Sequence, residues 1–284
     1  DSAKKLAKGL SSGADALIID LEDSVAPDRK AAARQLAFAF LKETISHARR
    51  PRLFVRVNDL NTGLTDDDLD AVVAACPDGI MLPKAEGGPS VIHLDAKLTA
   101  REALHGIDEG QIQIVAIATE TASALFAAGT YRGASGRLTG LTWGAEDLSA
   151  DLGSEANRDA NGFFTDPYRL ARALCLAAAA SCGAMAIDTV SVDFRNSEAL
   201  RREAEDARRD GFVAKMAIHP DQVAVINEVF TPSSEAIGRA KAVCEAFAAN
   251  PGQGVVGIDG TMYDRPHLVR AERLLARAKA AGVL

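Results

Sequence analysis

Carboxylate side chains are concentrated where apolar runs of this sequence end. The run ALIIDLEDSV passes from apolar residues directly into Asp20, Glu22 and Asp23, and Glu120 and Asp147 follow two later apolar runs. So many acidic groups in one site would repel one another, and a bound divalent cation would offset that repulsion. Because the donors are oxygen atoms and no His/Cys cluster accompanies them, we predict Mg2+, with Mn2+ as the alternative, held by Glu120 and Asp147.

One arginine interrupts an apolar run. Arg56 lies inside LFVRV, where an arginine is rarely buried without an anionic partner. Two roles are open: Arg56 pairs with Glu22 or Asp23 as part of the structure, or its planar guanidinium binds a substrate carboxylate. The two roles are compatible. Helix capping, which would explain several of the strand-end carboxylates, does not account for Arg56.

Lys84 and His219 each follow an apolar run, and each has a catalytic and a structural interpretation. Lys84, in LPKAE, could form a Schiff base with a carbonyl substrate, but its neighbour Glu86 favours a charged structural lysine. His219, in AIHP, could be a general base or could order the junction between strand and loop. We favour the structural interpretation for both.

Composition argues against several other classes of protein. Lys and Arg total 32 and Asp and Glu 39, so the net charge is -7, which gives no general attraction to nucleic acid. No apolar run approaches the ~20 residues that span a bilayer, and no signal-peptide apolar region opens the sequence. The 4 cysteines are scattered without a CxxC pair, which favours buried, reduced thiols in a cytoplasmic protein and argues against zinc.

Short apolar runs alternate with amphipathic segments along most of the chain, which is typical of βα units with buried parallel strands. The candidate strands are residues 16–20, 53–57, 79–82, 112–118, 138–143, 185–190 and 214–218. A doubly wound sheet and a (β/α)8 barrel both fit this pattern. We favour an α/β (β/α)8 TIM barrel because polar residues recur at the carboxyl ends of the strands, and we expect its first strand upstream of residue 1.

The last part of the sequence has a different pattern. We predict a catalytic barrel domain over residues 1–230 and a helical C-terminal extension over residues 231–284. Between the two helices of this extension lies a Gly- and turn-rich stretch, NPGQGVVGIDGTMYDRPHL. Such an extension is suited to fold over the barrel mouth as a lid or to reach a neighbouring subunit.

Several motifs, in the order in which they occur, resemble those of one family. They are LIIDLEDSV, LFVRVNDLNTGL, GIMLPKAEG, ATETASALF, LTWGAEDLSADLG, KMAIHPDQVAVINEVFTPS and GTMYDRPHLVRAERLL. As an ordered set they resemble the citrate lyase β-subunit-like proteins of the HpcH/HpaI aldolase superfamily, whose relatives include malyl-CoA and citramalyl-CoA lyases. The resemblance covers almost the whole chain. It implies a (β/α)8 barrel with a C-terminal lid, assembled into a homotrimer or hexamer.

The resemblance also implies roles for individual residues of the barrel. Glu120 and Asp147 correspond to the Mg2+ ligands. Arg56 corresponds to the arginine that holds the carboxylate or carbonyl end of the substrate. Glu22 and Asp23 correspond to catalytic-site groups that orient this arginine and the water at the metal.

Other positions correspond to parts of the family that handle CoA and protons. Lys4 matches a basic residue near the CoA phosphates. The segment with Met216, Ile218, His219 and Pro220 corresponds to the one that lines the CoA site in the family. Asp264, in the YDRP motif, corresponds to a lid aspartate that acts as acid or base in a neighbouring subunit's site, a role for which burial should raise its pKa.

The activity that the resemblance implies is Mg2+-dependent cleavage of a 3-hydroxyacyl-CoA thioester to acetyl-CoA and a 2-keto acid. Two other activities need the same groups: hydrolysis of malyl-CoA, and the β-subunit reaction of citrate lyase on an acyl-carrier-protein thioester. A non-catalytic protein on the same fold is disfavoured because Arg56, Glu120, Asp147 and Asp264 are all present.

Overall fold

The computed structural model describes residues 2–284, which divide into two compact units. The larger unit ends at Val225 and the smaller unit is Ile226–Leu284, so the boundary falls inside a helix. In chain order the helices and strands are α1 (Ala3–Leu10), β1 (Ala16–Asp20), α2 (Lys30–Thr44), β2 (Arg52–Arg56), α3 (Thr65–Val72), β3 (Gly79–Leu82), α4 (Gly88–His105), β4 (Gln113–Ile117), α5 (Ala122–Ala127), β5 (Leu138–Thr142), α6 (Ala145–Leu152), α7 (Asp166–Cys182), β6 (Met185–Asp188), α8 (Ser197–Asp210), β7 (Ala214–Lys215), α9 (Pro220–Phe230), α10 (Ser234–Ala249), β8 (Val255–Ile258), β9 (Thr261–Asp264) and α11 (Arg265–Ala280).

Seven strands form one parallel sheet in sequential order, from β1 to β7. A doubly wound sheet would reverse its strand order at a switch point, so the sequential order favours the barrel type over the doubly wound type. The interior cluster of the sheet consists of Phe54, Met81, Val115 and Ile117. Ile18 of β1 and Ile187 of β6 both pack against this cluster, so the sheet curls enough for distant strands to share one interior. The predicted α/β architecture with seven parallel strands is confirmed.

The last strand of the sheet is shorter than predicted. We expected a strand over residues 214–218, but β7 ends at Lys215. The backbone N–H groups of Ile218 and His219 donate to Oε1 of Gln222 at 2.9 and 3.2 Å, so they turn away from a strand neighbour. The segment after β7 is therefore a loop that leads into α9, which begins at Pro220.

The smaller unit has a hydrophobic core of its own. Its buried residues are Ala240, Val243, Phe247, Val256 and Ala271. β8 and β9 form an antiparallel hairpin in a stretch that we predicted only as rich in glycine and turns. Asp259 and Gly260 have φ values of 48° and 77°, as a type I′ hairpin turn requires, and the Asp-Gly pair is the sequence signal that could have identified it.

No helix within residues 2–284 is both long and apolar enough to cross a bilayer. The four cysteines are free thiols. Cys175 is buried, whereas Cys76, Cys182 and Cys244 are partly exposed. The expectation that the thiols are buried is therefore wrong for these three.

Candidate active site at the carboxyl ends of the strands

Arg56, the last residue of β2, is held by two carboxylates. Its Nε and Nη2 atoms lie 2.8 and 2.7 Å from the two carboxylate oxygens of Asp20, and Nη1 lies 2.9 Å from Oε2 of Glu22. Asp20 and Arg56 are register partners on neighbouring strands, and alternation places their side chains on the face that Ile18 and Phe54 also occupy. Because a guanidinium group carries five N–H donors, these contacts leave donors for a further anion.

Lys84 follows β3 and connects the remaining carboxylates. Its Nζ atom lies 2.7 Å from Oε1 of Glu22, 3.1 Å from Oδ1 of Asp147 and 3.5 Å from Oδ2 of Asp23. Its backbone N–H donates to Oε2 of Glu120 at 2.5 Å. One residue therefore contacts four acidic side chains that follow three different strands, β1, β4 and β5. The structure brings together all five predicted residues of the catalytic and metal sites in the larger unit.

Lys84 is a charged lysine, as predicted, but its partners are different. Burial by itself would lower the pKa of Lys84, yet the hydrogen bonds and charges of Glu22 and Asp147 raise it above its usual range. A protonated amine is not a nucleophile, so a Schiff-base role does not fit. Glu86, the predicted partner, instead accepts a hydrogen bond from the Ser123 hydroxyl at 2.5 Å.

Glu120 is almost fully buried, with 3% of its surface exposed. Burial raises the pKa of this carboxyl to about 8, although the hydrogen bond from the Lys84 backbone lowers it; the charge of Asp147 raises it further. Gly144, just before α6, leaves the space that the Glu120 side chain occupies. A Cβ atom at Gly144 would lie 2.7 Å from Cγ of Glu120, so any larger residue there would displace the carboxylate.

The residues present fit a divalent cation of the magnesium type. Glu120 and Asp147 offer hard oxygen donors, and a cation beside Glu120 would offset the desolvation that raises its pKa. Among residues 2–284, no group of three or more His, Cys, Asp or Glu side chains is arranged to hold a metal. Mg2+ takes one or two protein carboxylates, which the pair Glu120 and Asp147 would supply, and keeps several waters, whereas zinc takes three or four protein ligands.

A buried network fixes the segment after β1. Nζ of Lys30 donates to the backbone carbonyl of Glu22 at 2.9 Å and to Oδ1 of Asn58 at 2.6 Å. Asn58 in turn donates to the carboxylate of Asp68 at 2.6 Å, which is fully buried. Because the backbone at Glu22 is fixed in this way, its carboxylate is held in position for the two cations that it contacts.

Asp20→Asn tests the clamp on Arg56 through pH-dependent stability. Burial alone would raise the pKa of Asp20, but the hydrogen bonds and charge of Arg56 outweigh it and lower that pKa to about 2. A depressed carboxyl pKa stabilises the fold above the unfolded-state value near 4, and this contribution is lost as the pH falls through about 2. We expect the variant to lose about 2 kcal/mol of unfolding free energy at pH 7, measured by urea denaturation, and much less near pH 2.

Asp70→Asn is the matched control for this measurement. Asp70 pairs with Arg101 at 2.7 Å, but 66% of its side chain is exposed, so its removal should change stability by less than about 1 kcal/mol. If Asp20→Asn is no more destabilising than this control at pH 7, the clamp contributes nothing to the fold.

The predicted CoA-binding residues lie after β7 and on α1. Met216 packs against the interior cluster. Ile218 is 52% exposed, and the ring of His219 stacks on Phe194 with the centroids 4.9 Å apart. Lys4 is exposed on α1. The segment after β7 follows the last strand of the sheet, whereas Arg56 ends β2, the second strand.

Asp264 lies in the smaller unit, at the start of α11. Its carboxylate Oδ1 lies 2.5 Å from Nδ1 of His267 in a capping box. The hydrogen bond with His267 lowers the pKa of Asp264, whereas we expected burial to raise it. With 40% of the side chain exposed, desolvation is too weak to reverse the effect of His267. The expected rise in pKa concerns burial in a neighbouring subunit's site and stays a prediction.

Sequence reasoning missed two partners in the site. It paired Arg56 with Glu22 or Asp23 and overlooked Asp20, although opposite charges at the last positions of consecutive strands were a usable signal. It also missed the contacts of Lys84, for which no local signal exists because Glu22 lies 62 positions away along the chain.

Two family models match the chain. The model described as HpcH/HpaI aldolase/citrate lyase matches residues 1–220. The model described as C-C bond lyase of the TIM-barrel fold matches residues 160–283. Together they cover both structural units.

Individual proteins match over nearly the whole chain. The citrate lyase subunit beta of Escherichia coli (strain K12) is 34% identical over 272 residues, which cover 95% of this chain and 87% of that protein. A (3S)-malyl-CoA thioesterase of Cereibacter sphaeroides (strain KD131 / KCTC 12085) is 38% identical over 286 residues, covering 99% and 91%. The crystal structure of protein CitE from Mycobacterium tuberculosis in complex with magnesium, acetoacetate and coenzyme A has a TM-score of 0.77 and 34% identity, covering 97% of this chain and 94% of that one. The chain belongs to the HpcH/HpaI aldolase/citrate lyase family.

Proposed function

We propose that this protein is a Mg2+-dependent carbon–carbon lyase. Its substrate is a 3-hydroxyacyl-CoA thioester of the malyl, citramalyl or citryl type, and its products are acetyl-CoA and a 2-keto acid. The observation that carries the proposal is the cluster at the carboxyl ends of the strands, where Lys84 contacts Glu120 and Asp147 and where the five N–H donors of Arg56 exceed the three that contact Asp20 and Glu22. The structural relative with bound magnesium, acetoacetate and coenzyme A supports the same ligand classes.

Glu120 and Asp147 would hold the metal in this proposal. When bound, Mg2+ supplies a Lewis acid that stabilises negative charge developing on a substrate oxygen. Arg56 binds the carboxylate of the keto-acid half through charge-assisted hydrogen bonds. Asp20 and Glu22 hold the guanidinium in place, so little side-chain entropy is lost when the substrate binds.

We assign the transfer of a proton in this reaction to Asp264. The 3-hydroxyl group gives up its proton and becomes the ketone oxygen of the 2-keto acid, the electron pair of the broken C–C bond passes to the α-carbon of the thioester, and the resulting enolate takes a proton to become acetyl-CoA. Asp264 is exposed and paired with His267 in this chain, which suits neither proton transfer nor a raised pKa. We propose that it acts in the site of a neighbouring subunit, where docking would bury it.

The remaining parts of the proposal concern architecture. Residues 1–230 form the catalytic barrel, closed by an eighth strand, and residues 231–284 form a lid that takes part in assembly as a homotrimer or hexamer. Gly252 and Gly260, with positive φ values, are suited to hinge such a lid. Lys4 and the 216–220 segment bind the CoA moiety.

Two other activities have specific support. The 38% identity to a (3S)-malyl-CoA thioesterase favours hydrolysis of the thioester by the same metal and arginine. The 34% identity to citrate lyase subunit beta favours a thioester carried on a protein. The substrate panel below separates these outcomes.

The test is an incubation of the purified protein with Mg2+ and malyl-CoA, methylmalyl-CoA, citramalyl-CoA or citryl-CoA, with products identified by mass spectrometry. Acetyl-CoA or propionyl-CoA together with a 2-keto acid establishes the lyase. Free CoA with an intact hydroxy acid establishes the thioesterase, and no turnover of any free thioester favours the carrier-dependent reaction. Full activity in EDTA would contradict the metal-dependent mechanism.

Complementation between inactive variants tests the role of Asp264 in a neighbouring subunit. We expect Asp264→Asn and Glu120→Gln each to be inactive alone, but to recover activity when co-expressed, because one mixed site then contains both intact residues. Co-expression of Glu120→Gln with Arg56→Lys is the control, since these two residues belong to the same unit and no mixed site is intact. Equal activity from the two mixtures would rule out action in a neighbouring subunit.

A further inference from the structure

The ammonium group of Lys84 lies among the carboxylates of Glu22, Asp23 and Asp147, which together with Glu120 are called the acidic cluster. It contacts Glu22 and Asp23, which follow β1, and Asp147, which lies in α6 after β5. Only 26% of the Lys84 side chain and 6% of the Glu22 side chain are exposed, so water screens this contact weakly, whereas Asp23 is 59% exposed. In this arrangement the charge of Lys84 offsets the repulsion among these three carboxylates, and Arg56 adds a second positive charge at Glu22.

One residue thereby touches both candidate metal ligands through different atoms. The backbone N–H of Lys84 holds Glu120, and its side chain holds Asp147. The backbone of Lys84 has a φ of 48°, a left-handed conformation that is uncommon for a residue with a side chain. This conformation accompanies the placement of the N–H on Glu120, which follows β4, and of the ammonium group on Asp147, which lies in α6.

We propose that Lys84 is a positioning residue that serves as the internal counter-cation of the metal-free site and gives up Asp147 when the divalent cation binds. The inference rests on the metal centre of the proposed function. It adds a competition between Lys84 and the metal for Asp147, which the proposed function does not require. Its basis is that Nζ of Lys84 lies 3.1 Å from Oδ1 of Asp147, an oxygen of a candidate metal ligand. Like charges a few ångströms apart also repel, so the ammonium group and a divalent cation cannot both lie close to this carboxylate without cost.

Lys84→Met isolates the contribution of the charge. Methionine keeps an unbranched side chain of similar length, and every substitution except proline keeps the backbone N–H that holds Glu120. Lys84→Arg keeps the positive charge and is the conservative variant. Lys97→Met is the matched control, because Lys97 lies 2.8 Å from Asp66 with 21% of its side chain exposed, close to the burial of Lys84.

The experiment measures binding of Mn2+ alone to the full chain by electron paramagnetic resonance, without substrate. We expect Lys84→Met to bind Mn2+ roughly tenfold more tightly than wild type, and Lys84→Arg and Lys97→Met to bind it as wild type does. The melting temperature gives a second readout. Metal-free Lys84→Met should melt below wild type because its carboxylates lose the positive charge of Lys84, and saturating Mg2+ should raise its melting temperature by more than it raises that of wild type.

Each result decides the inference. Tighter Mn2+ binding with a larger metal-induced rise in melting temperature supports it. If wild type binds Mn2+ and Lys84→Met binds it equally or more weakly, the competition is overturned while the proposed metal centre stands. If the lysine is a purely structural support, the variant loses the same stability with and without metal, which also overturns the inference. If wild type binds no Mn2+, the metal centre fails, and the inference fails with it.

Discussion

Glu120→Gln should reduce kcat/KM by about 10³-fold or more while leaving the protein folded. Glu120 is the buried member of the proposed ligand pair, and glutamine keeps its shape but removes its charge. The glutamine carbonyl can still accept the hydrogen bond from the Lys84 backbone, which lies 2.5 Å from Oε2 in the wild type. The measurement is steady-state kinetics on whichever thioester of the panel is turned over, together with Mn2+ binding.

The same variant should be more stable than the metal-free wild type at alkaline pH. Burial raises the pKa of Glu120 to about 8, so folding favours the protonated acid. The stability that Glu120 contributes is fully present below its unfolded-state pKa near 4.5, and it is lost as the pH rises through about 8. Metal-free wild type should therefore lose more stability between pH 5 and 8.5 than Glu120→Gln does, as followed by thermal melts in EDTA.

Glu86→Gln is the control for both measurements. Glu86 follows the same strand as Lys84 but bonds to Ser123 at 2.5 Å and has no contact with Lys84's ammonium group among residues 2–284. We expect it to keep wild-type kinetics and wild-type pH dependence. If Glu120→Gln also kept wild-type activity, Glu120 could not be a ligand of a catalytic metal.

Arg56→Lys is expected to have the second largest effect, a loss of about 10²- to 10³-fold in kcat/KM. Arg56 uses Nε and Nη2 on Asp20 and Nη1 on Glu22, and the donors that remain point from a fixed plane. A lysine ammonium group has its three N–H donors on one nitrogen and no planar fork, so it cannot bind Asp20 in a bidentate way and also present an oriented pair of N–H groups to a substrate carboxylate. Kinetics with the productive thioester measure the loss.

Arg101→Lys is the matched control for this substitution. Arg101 also uses Nε and Nη2 on carboxylates, those of Asp70 and Asp66 at 2.7 and 2.9 Å, and 14% of its side chain is exposed. It connects α4 with α3 and takes no part in the acidic cluster, so activity should be unchanged. If Arg56→Lys kept most of its activity as this control does, the planar fork would not be needed for catalysis.

The sequence by itself determined the elements and the types of the reacting groups. Apolar runs separated by amphipathic segments predicted seven strands, and all but β7 lie within two residues of the predicted bounds, because such runs are buried as parallel strands of βα units. Polar residues at the ends of these runs predicted where the site lies, since the carboxyl ends of the strands share one edge of the sheet. Arg56, Glu120 and Asp147 were predicted in this way as site residues without knowledge of any contact.

Only the tertiary structure decided which of these groups touch. The pairing of Arg56 with Asp20 depends on the register of β1 against β2, and the contacts of Lys84 depend on the curl that brings the ends of β1, β3, β4 and β5 together. Local patterns fix the period of an element, but the partners of Lys84 lie up to 63 positions away in sequence, where no pattern of spacing identifies them. The raised pKa of Glu120 has the same origin, because desolvation is a property of the packed structure and not of the residue type.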